Sequence, residues 1–229
     1  KKKAFCPGTV PVGFVNDRSD AFDGDDTSSF ISLAKTYIGP NEIIGTIPPT
    51  TTYLDSEGNP TIGYGHYLDN TAEDRARFNT LFGAAVNYDD ILSGAQSLSI
   101  DQTNTLFEHD IGRKIETAKT LFPKLYCYPV HLRVALLDGI FRGEYKSSHN
   151  TVKLINQGRW GEAAIEYLNR NDYRAALGPP RTGVAGRMER NRDYMVDFSN
   201  ALIASSIKGI NSWVDGTGTI DGMFLDFGS

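Results

Sequence analysis

The stretch Tyr53-Leu54-Asp55-Ser56-Glu57-Gly58-Asn59-Pro60-Thr61-Ile62-Gly63-Tyr64-Gly65-His66 decides the fold. Ser56 to Pro60 concentrates turn-forming residues. Thr50-Thr51-Thr52-Tyr53 on one side and Thr61-Ile62 on the other are β-branched or aromatic, so the spacing predicts a hairpin. The run Thr61 to His66 reads as a short strand kinked at its glycines. This hairpin gathers a carboxylate (Asp55), a hydroxyl (Thr61) and an imidazole (His66), with Asp55 and Thr61 expected to face each other across the turn. A carboxylate beside a hydroxyl can grip and deprotonate one water, and glycines let a bulky polar substrate approach the backbone. A second carboxylate, Glu42, lies upstream. Two carboxylates flanking a cleft, one acid and one base or nucleophile, are what hydrolysis of a glycosidic bond requires.

Upstream of the hairpin, Asp26-Thr27-Ser28-Ser29 supplies helix N-cap candidates, and Phe30, Ile31, Leu33, Ala34, Tyr37 and Ile38 make a helical apolar face that Gly39-Pro40 is expected to end. Residues 1–27 read as an extended tail punctuated by Pro7, Gly8, Pro11 and Gly13. Its aspartates do not alternate as a calcium loop requires. Downstream, residues 72–204 are mainly helical. Ser99 and Gln102 form a capping box, Leu132 to Phe141 marks a buried helix, Arg159 to Leu168 is amphipathic, Gly178-Pro179-Pro180 is a break, and Met188 to Ala204 is a further helix. Residues 205–229 are Ser/Gly-rich and read as an appendix. The expected fold class is α+β and mainly helical: a small lobe with the hairpin (28–70), a helical lobe (71–204), and two terminal extensions.

The 229 residues carry 23 bases and 28 acids, a formal net charge of −5, with 40% hydrophobic residues. Disorder and fibrous repeats are excluded by that composition. The balance is uneven: residues 1–69 hold 5 bases and 9 acids, residues 110–200 hold 15 and 10. A basic helical part suits an anionic polymer such as nucleic acid or cell wall, while the acidic total argues against a dedicated DNA binder. The run of about 18 apolar residues that a spanning helix needs is missing, so no membrane partner is expected. The start, Lys1 to Pro7, lacks the apolar stretch of a signal peptide, and the chain reads as a fragment or a processed product. Cys6 and Cys127 are either unrelated thiols or one long-range disulfide, which would need an oxidising compartment. No Cys/His pair has zinc-ligand spacing, and neither a metal nor a cofactor is expected.

The hairpin resembles that of the phage-type lysozymes, the family of the T-even phage lysozyme (glycoside hydrolase family 24), whose pattern Tyr-x-Asp-x-x-Gly-x-x-Thr-Ile-Gly-x-Gly-His is met here at each defined position. Leu106-Phe107-Glu108-His109-Asp110 is similar to the family's Leu-Phe-x-x-Asp. Arg133 to Phe141 resembles its central buried helix, Arg159-Trp160-Gly161-Glu162-Ala163-Ala164 its Arg-Trp-x-Glu-Ala-Ala, and Gly183-Val184-Ala185-Gly186-Arg187 its late Gly-Leu-x-x-Arg segment. The likeness runs in order over residues 28–200.

This resemblance implies a two-lobed lysozyme-like fold, with an α+β lobe and an all-helical lobe joined by a long helix and the cleft between them. It implies a muramidase that cleaves, with inversion, the β-1,4 bond between N-acetylmuramic acid and N-acetylglucosamine in peptidoglycan. By matched position Asp55 takes the base role, Thr61 helps hold the nucleophilic water, and His66 and Asp110 form a structural ion pair. The family's acid is a Glu-Gly nine residues before the Asp. Here that position is Thr46, and Ile38 stands where the helix end would carry Glu. Glu42, 13 residues before Asp55, is assigned as general acid across an insertion. Glu57 and Gly65 are expected to line the sugar cleft, and Arg142, Glu144 and Asn171 to contact peptidoglycan. The fragment-like start, unmatched ends and acidic balance fit a toxin or antibacterial effector domain better than a stand-alone endolysin. Either would act as a monomer in the bacterial periplasm or cell wall, secreted or delivered by a system outside this sequence, and an effector would be countered by an immunity protein. The displaced Glu favours one other class, a lysozyme-like module that binds peptidoglycan or a partner without cleaving. A third reading, a chitin-type hydrolase, shares the fold.

Overall fold

Asp55 shapes the first turn of the sheet. Its backbone N–H donates to the Asn59 carbonyl (3.0 Å) and its own carbonyl accepts from Gly58 N–H (3.1 Å). Strands β1 (Tyr53–Leu54) and β2 (Pro60–Ile62) pair antiparallel on either side, with Tyr53 opposite Thr61 and Leu54 opposite Pro60. The expected single strand over residues 61–66 is instead a second hairpin. β3 (His66–Tyr67) turns back to pair Ile62 with His66, giving the order β1-β2-β3. The glycines permit that reversal: Gly63 has φ +62° and Gly65 φ +82°, a region costly for residues with a β-carbon. Thr50 to Thr52 do not extend β1, because they bond elsewhere. The Thr50 carbonyl accepts from Leu98 N–H (2.9 Å) and Thr52 Oγ1 donates to the Ile91 carbonyl (2.5 Å).

The computed structural model describes residues 27–43, 46–178 and 182–214. Over these the architecture is α+β and mainly helical, as the sequence predicts. Two compact units are evident, residues 27–116 and residues 117 onward. The boundary falls within a helix rather than after residue 70, because helices following the sheet share its core.

In the first unit, α1 (Thr27–Glu42) buries Phe30, Ala34 and Ile38 at four-residue spacing. It passes through Gly39-Pro40, which was expected to stop it, and ends on Glu42. Pro40 cannot donate to the Thr36 carbonyl, but it sits in the last turn, where Asn41 Nδ2 donates to the Tyr37 carbonyl (2.9 Å). Helix α2 (Ala72–Phe82) starts at Thr71, whose hydroxyl accepts from Asp74 N–H (3.1 Å), and α3 (Tyr88–Ser93) starts at Asn87, whose side chain accepts from Asp89 and Asp90 N–H. Helix α4 (Ile100–Leu121) opens with the expected capping box: Gln102 N–H donates to Ser99 Oγ (3.1 Å) and Ser99 N–H to Gln102 Oε1 (2.8 Å). Ile62, Leu68, Phe78, Val86, Tyr88, Ile91, Leu98 and Leu106 form one core beneath the sheet.

The unit beginning at residue 117 is helical: α5 (Val130–Phe141), α6 (Asn150–Asn156), α7 (Trp160–Leu168), α8 (Asn171–Ala176) and α9 (Thr182–Val214). Helix α5 is buried from Leu132 to Ile140, as its continuous apolar run predicts. Trp160 meets Tyr128 and Phe198 edge-on, at 4.8 and 5.1 Å between ring centroids. Helix α9 begins before Met188 and continues past Ala204 to Val214, so the first part of the expected C-terminal appendix is helix. Buried Asp138 of α5 accepts from Arg187 Nε (2.8 and 2.9 Å) and from Asn191 Nδ2 (2.7 Å) of α9. Desolvation offsets much of the attraction in such a buried pair, while loss of either partner would leave the other charge buried and unpaired. Among the described residues no helix is long and apolar enough to cross a membrane.

Candidate functional site

The site is built on the first hairpin. Asp55 Oδ1 accepts from Glu57 N–H (2.8 Å) and Asn59 N–H (2.9 Å), and Oδ2 accepts from Asn59 Nδ2 (3.2 Å). The Asn59 backbone N–H is the foremost cause of a pKa below the usual carboxylate range. Slight burial opposes it, and the Glu57 N–H and Asn59 side chain add to it. Asp55 is therefore an ionised acceptor throughout the neutral range. Thr61 is 3% exposed, and its hydroxyl donates to the Asn59 carbonyl (3.1 Å). Thr61 does not sit directly opposite Asp55, as the sequence suggested. It pairs with Tyr53, and the pleat puts residues 53, 55 and 61 toward one face.

Glu42 reaches the second hairpin from the end of α1. A β-carbon built on Gly65 would lie 3.7 Å from Glu42 Oε2, so the carboxylate passes over the Gly65 backbone. Tyr53 senses both acids. Burial raises its pKa first, and the Asp55 and then the Glu42 carboxylates raise it further. Tyr64 fixes the approach of the helix: it stacks on Phe107 (4.2 Å, 13°), its hydroxyl donates to Asn104 Oδ1 (3.1 Å), and a β-carbon on Gly39 would meet its ring at 3.3 Å. Glycine at position 39 thus lets the second hairpin and α1 touch. Glu57 is exposed at the tip of the turn.

Behind the hairpin, His66 is 7% exposed and clamped by two carboxylates. Its Nδ1 lies 2.7 Å from Asp110 Oδ2 on α4, and its Nε2 lies 3.4 Å from Asp74 Oδ1 on α2. Asp74 also accepts from the Tyr88 hydroxyl (2.6 Å) and from Arg77. Burial alone would lower the His66 pKa, but the bonds to Asp110 and Asp74 overcome it and raise the value to about 9. Burial likewise opposes ionisation of Asp110, yet His109 and His66 hold it down at about 2. Lys114, one turn further along α4, has its pKa lowered by burial, while Asp110 and Glu42 oppose that shift. Asn59, Asp74 and Lys114 were not singled out from the sequence. Only Asn59 carried a signal, its place in the turn.

In the helical unit the expected peptidoglycan contacts divide. Glu144 is 1% exposed. Its carboxylate accepts from Arg142 Nε (2.6 Å) and from the Tyr167 hydroxyl, so it faces inward and is not offered to a substrate. Burial raises its pKa, against the pull of Tyr167 and Arg142. Arg142 is half-buried by the same pairing. Asn171 is exposed at the start of α8 and lines an open polar pocket of about 580 Å³ with Asn150, Thr151, Glu166, Asn169 and Arg170. Cys127 is disulfide-bonded, and Cys6 lies outside the described residues. Among the described residues no group of three or more His, Cys, Asp or Glu is arranged to hold a metal ion.

The mainly helical architecture with its small antiparallel sheet is consistent with an α+β lysozyme-like fold. In particular, the chain is 28% identical over 124 residues to a Dictyostelium discoideum protein described as probable T4-type lysozyme 2, covering 51% of this chain and 73% of that protein. No family model matches the chain.

Proposed function

We propose that the protein is a peptidoglycan hydrolase, a muramidase that cleaves the β-1,4 bond between N-acetylmuramic acid and N-acetylglucosamine with inversion. The observation that carries this reading is that two carboxylates flank the small sheet, Asp55 at its first turn and Glu42 beside Gly65 at its second, and that the charges of both act on the Tyr53 phenol. The likeness to a T4-type lysozyme supports the same reaction class. Asp55, ionised and hydrogen-bonded, suits a base that takes a proton from water as the water attacks the anomeric carbon. Thr61 supplies a second acceptor for that water. Glu42 delivers the proton that the departing sugar oxygen needs. An inverting pair works with carboxyl groups roughly 6.5–9.5 Å apart, leaving room for the water. The polar pocket beside Asn171 has the amide and hydroxyl lining that glycan or stem-peptide groups would bind.

The test is clearance of purified peptidoglycan by the wild-type protein and by Asp55→Asn. The substitution keeps an acceptor for the Glu57 and Asn59 amides but cannot take a proton, so clearance should fall by about 10²–10⁴ with the melting temperature preserved. A folded Asp55→Asn protein that still clears the wall removes the base assignment. Binding without any clearance by the wild type supports the non-cleaving module instead. Proton NMR of the fresh reducing ends reports whether the anomer is inverted.

A further inference from the structure

Asn59 touches both side chains assigned to the attacking water. Its N–H and Nδ2 donate to Asp55 Oδ1 (2.9 Å) and Oδ2 (3.2 Å), and its carbonyl accepts from Thr61 Oγ1 (3.1 Å) as well as from Asp55 N–H (3.0 Å). We propose that Asn59 is a positioning residue that sets Asp55 and Thr61 as a matched pair of acceptors for the nucleophilic water. The inference rests on the muramidase reading for the identity of that water, and on the hairpin geometry alone for the positioning.

A carboxylate offers about four acceptor directions. Glu57 N–H and Asn59 N–H fill the two on Oδ1, and Asn59 Nδ2 takes one on Oδ2. Gly58 N–H, bonded to the Asp55 main-chain carbonyl (3.1 Å), also draws on the carboxylate, so no more than one direction remains, on Oδ2. The Thr61 hydroxyl has a single proton, which goes to the Asn59 carbonyl, so its oxygen is left as acceptor only. A water between them gives one proton to Asp55 Oδ2 and the other to Thr61 Oγ1. Its lone pair is then free to attack, and the proton that leaves passes to Asp55. Without the Asn59 amide, the Asp55 carboxylate can rotate about its Cβ–Cγ bond and the second direction on Oδ2 opens to bulk water. The cost falls on orientation, which is worth much in rate and little in stability.

Asn59→Ala removes the Nδ2 contact and keeps all the backbone bonds. Asn59→Asp keeps the shape, loses the donor and adds a like charge. The side-chain carboxyl of Asp55 is titrated by carbon NMR in the wild type and both variants, and the pH profile of wall hydrolysis is measured alongside. The midpoint should rise by about 0.5–1 pH unit in Asn59→Ala and further in Asn59→Asp. The acid limb of the rate profile should rise with it, kcat should fall about tenfold or more, and KM should stay within about twofold. Identical Asp55 titration in all three proteins overturns the proposal, whether or not the wild type hydrolyses wall. Midpoints that move while the acid limb stays fixed support the positioning and overturn Asp55 as the base. A residue that merely stabilised the turn would lower the melting temperature and leave both profiles where they were.

Discussion

His66 Nδ1 lies 2.7 Å from Asp110 Oδ2, and this bond ties the last strand of the sheet to the middle of α4. With the imidazole charged, the pair is an ion pair inside the unit that carries Asp55 and Glu42. Its strength must depend on pH. His66 has its pKa raised to about 9, against about 6.5 when unfolded, so its contribution is complete below pH 6.5 and is lost as pH rises through 9. Asp110 is held at about 2, so its contribution is present above about pH 3.9 and is lost as pH falls through 2. Asp110→Asn should therefore cost most between about pH 4 and 6.5, a few kcal/mol by linkage, and much less above pH 9. Urea unfolding at pH 5.5 and pH 9.5 measures both. Equal losses at the two pH values would remove the ion pair as the cause.

Asp74 shares the same imidazole from the other side, 3.4 Å from Nε2. Two carboxylates competing for one charge are not independent. Asp74→Asn and Asp110→Asn combined should depart from additivity by about 0.5–3 kcal/mol in a double-mutant cycle. Either single variant leaves His66 one partner that keeps it charged, and only the double variant should let it titrate near or below its ordinary value. Imidazole proton NMR of the three variants follows that directly. Additive losses, with His66 titrating in the double variant as it does in Asp110→Asn, would mean that Asp74 is held by Arg77 and Tyr88 alone.

In the helical unit, Gly139 of α5 is a packing constraint. A β-carbon there would collide with the Tyr145 ring and lie 3.0 Å from Glu144 Oε2. Both residues are buried, at 6% and 1% exposure, and Glu144 is fixed by Tyr167 and Arg142, so neither can step aside cheaply. Although alanine is the better helix former, Gly139→Ala should destabilise by about 1–3 kcal/mol and lower the melting temperature by several degrees. Gly112→Ala on α4 meets nothing within 4 Å and should be neutral or slightly stabilising. If Gly139→Ala matched Gly112→Ala in a thermal melt, the close contact would not constrain the fold.

Local signals were legible in the sequence and partner choices were not. The Ser99/Gln102 box, the turn around Gly58 and the all-apolar α5 each depend on residues within one turn or hairpin of each other, so their patterns carry over directly into structure. Pro40 misled because only the Thr36 carbonyl loses its backbone donor, close to the helix end, and the turn that follows is held by Asn41, whose Nδ2 bonds the Tyr37 carbonyl (2.9 Å). The extra turn carries Glu42 to the second hairpin. Glu144 reads as a polar surface residue after a helix end. That Tyr167 and Arg142 turn it inward depends on α7 lying beside α5, which spacing alone does not reveal. Asp74 is hidden for the same reason: it looks like an ordinary acidic residue in a first helical turn, and its burial follows from the packing of α2 against the sheet.

The general acid is the assignment that most needs measurement, since Glu42 stands 13 residues before Asp55 rather than the nine of the resembled family. Two exposed-side carboxylates compete for the role. Glu42 ends α1 with its Oε2 close over Gly65, and its charge is felt by Tyr53 together with that of Asp55. Glu57 lies at the tip of the turn, exposed, with only its backbone N–H engaged by Asp55. An acid must meet the departing oxygen on the face opposite the attacking water, and Glu57 is held on the same turn as the base. Glu42→Gln keeps the shape and removes the deliverable proton, so kcat on peptidoglycan should fall by about 10²–10⁴ with little change in the melting temperature. Glu57→Gln should act mainly on KM. A synthetic substrate with a good leaving group separates acid catalysis from binding, because it needs little protonation. Glu42→Gln should recover most of its activity on such a substrate, whereas Asp55→Asn should not. If Glu57→Gln abolishes cleavage and Glu42→Gln does not, the acid role belongs to the turn. If the activated substrate rescues neither Glu variant, proton delivery is not what either carboxylate contributes.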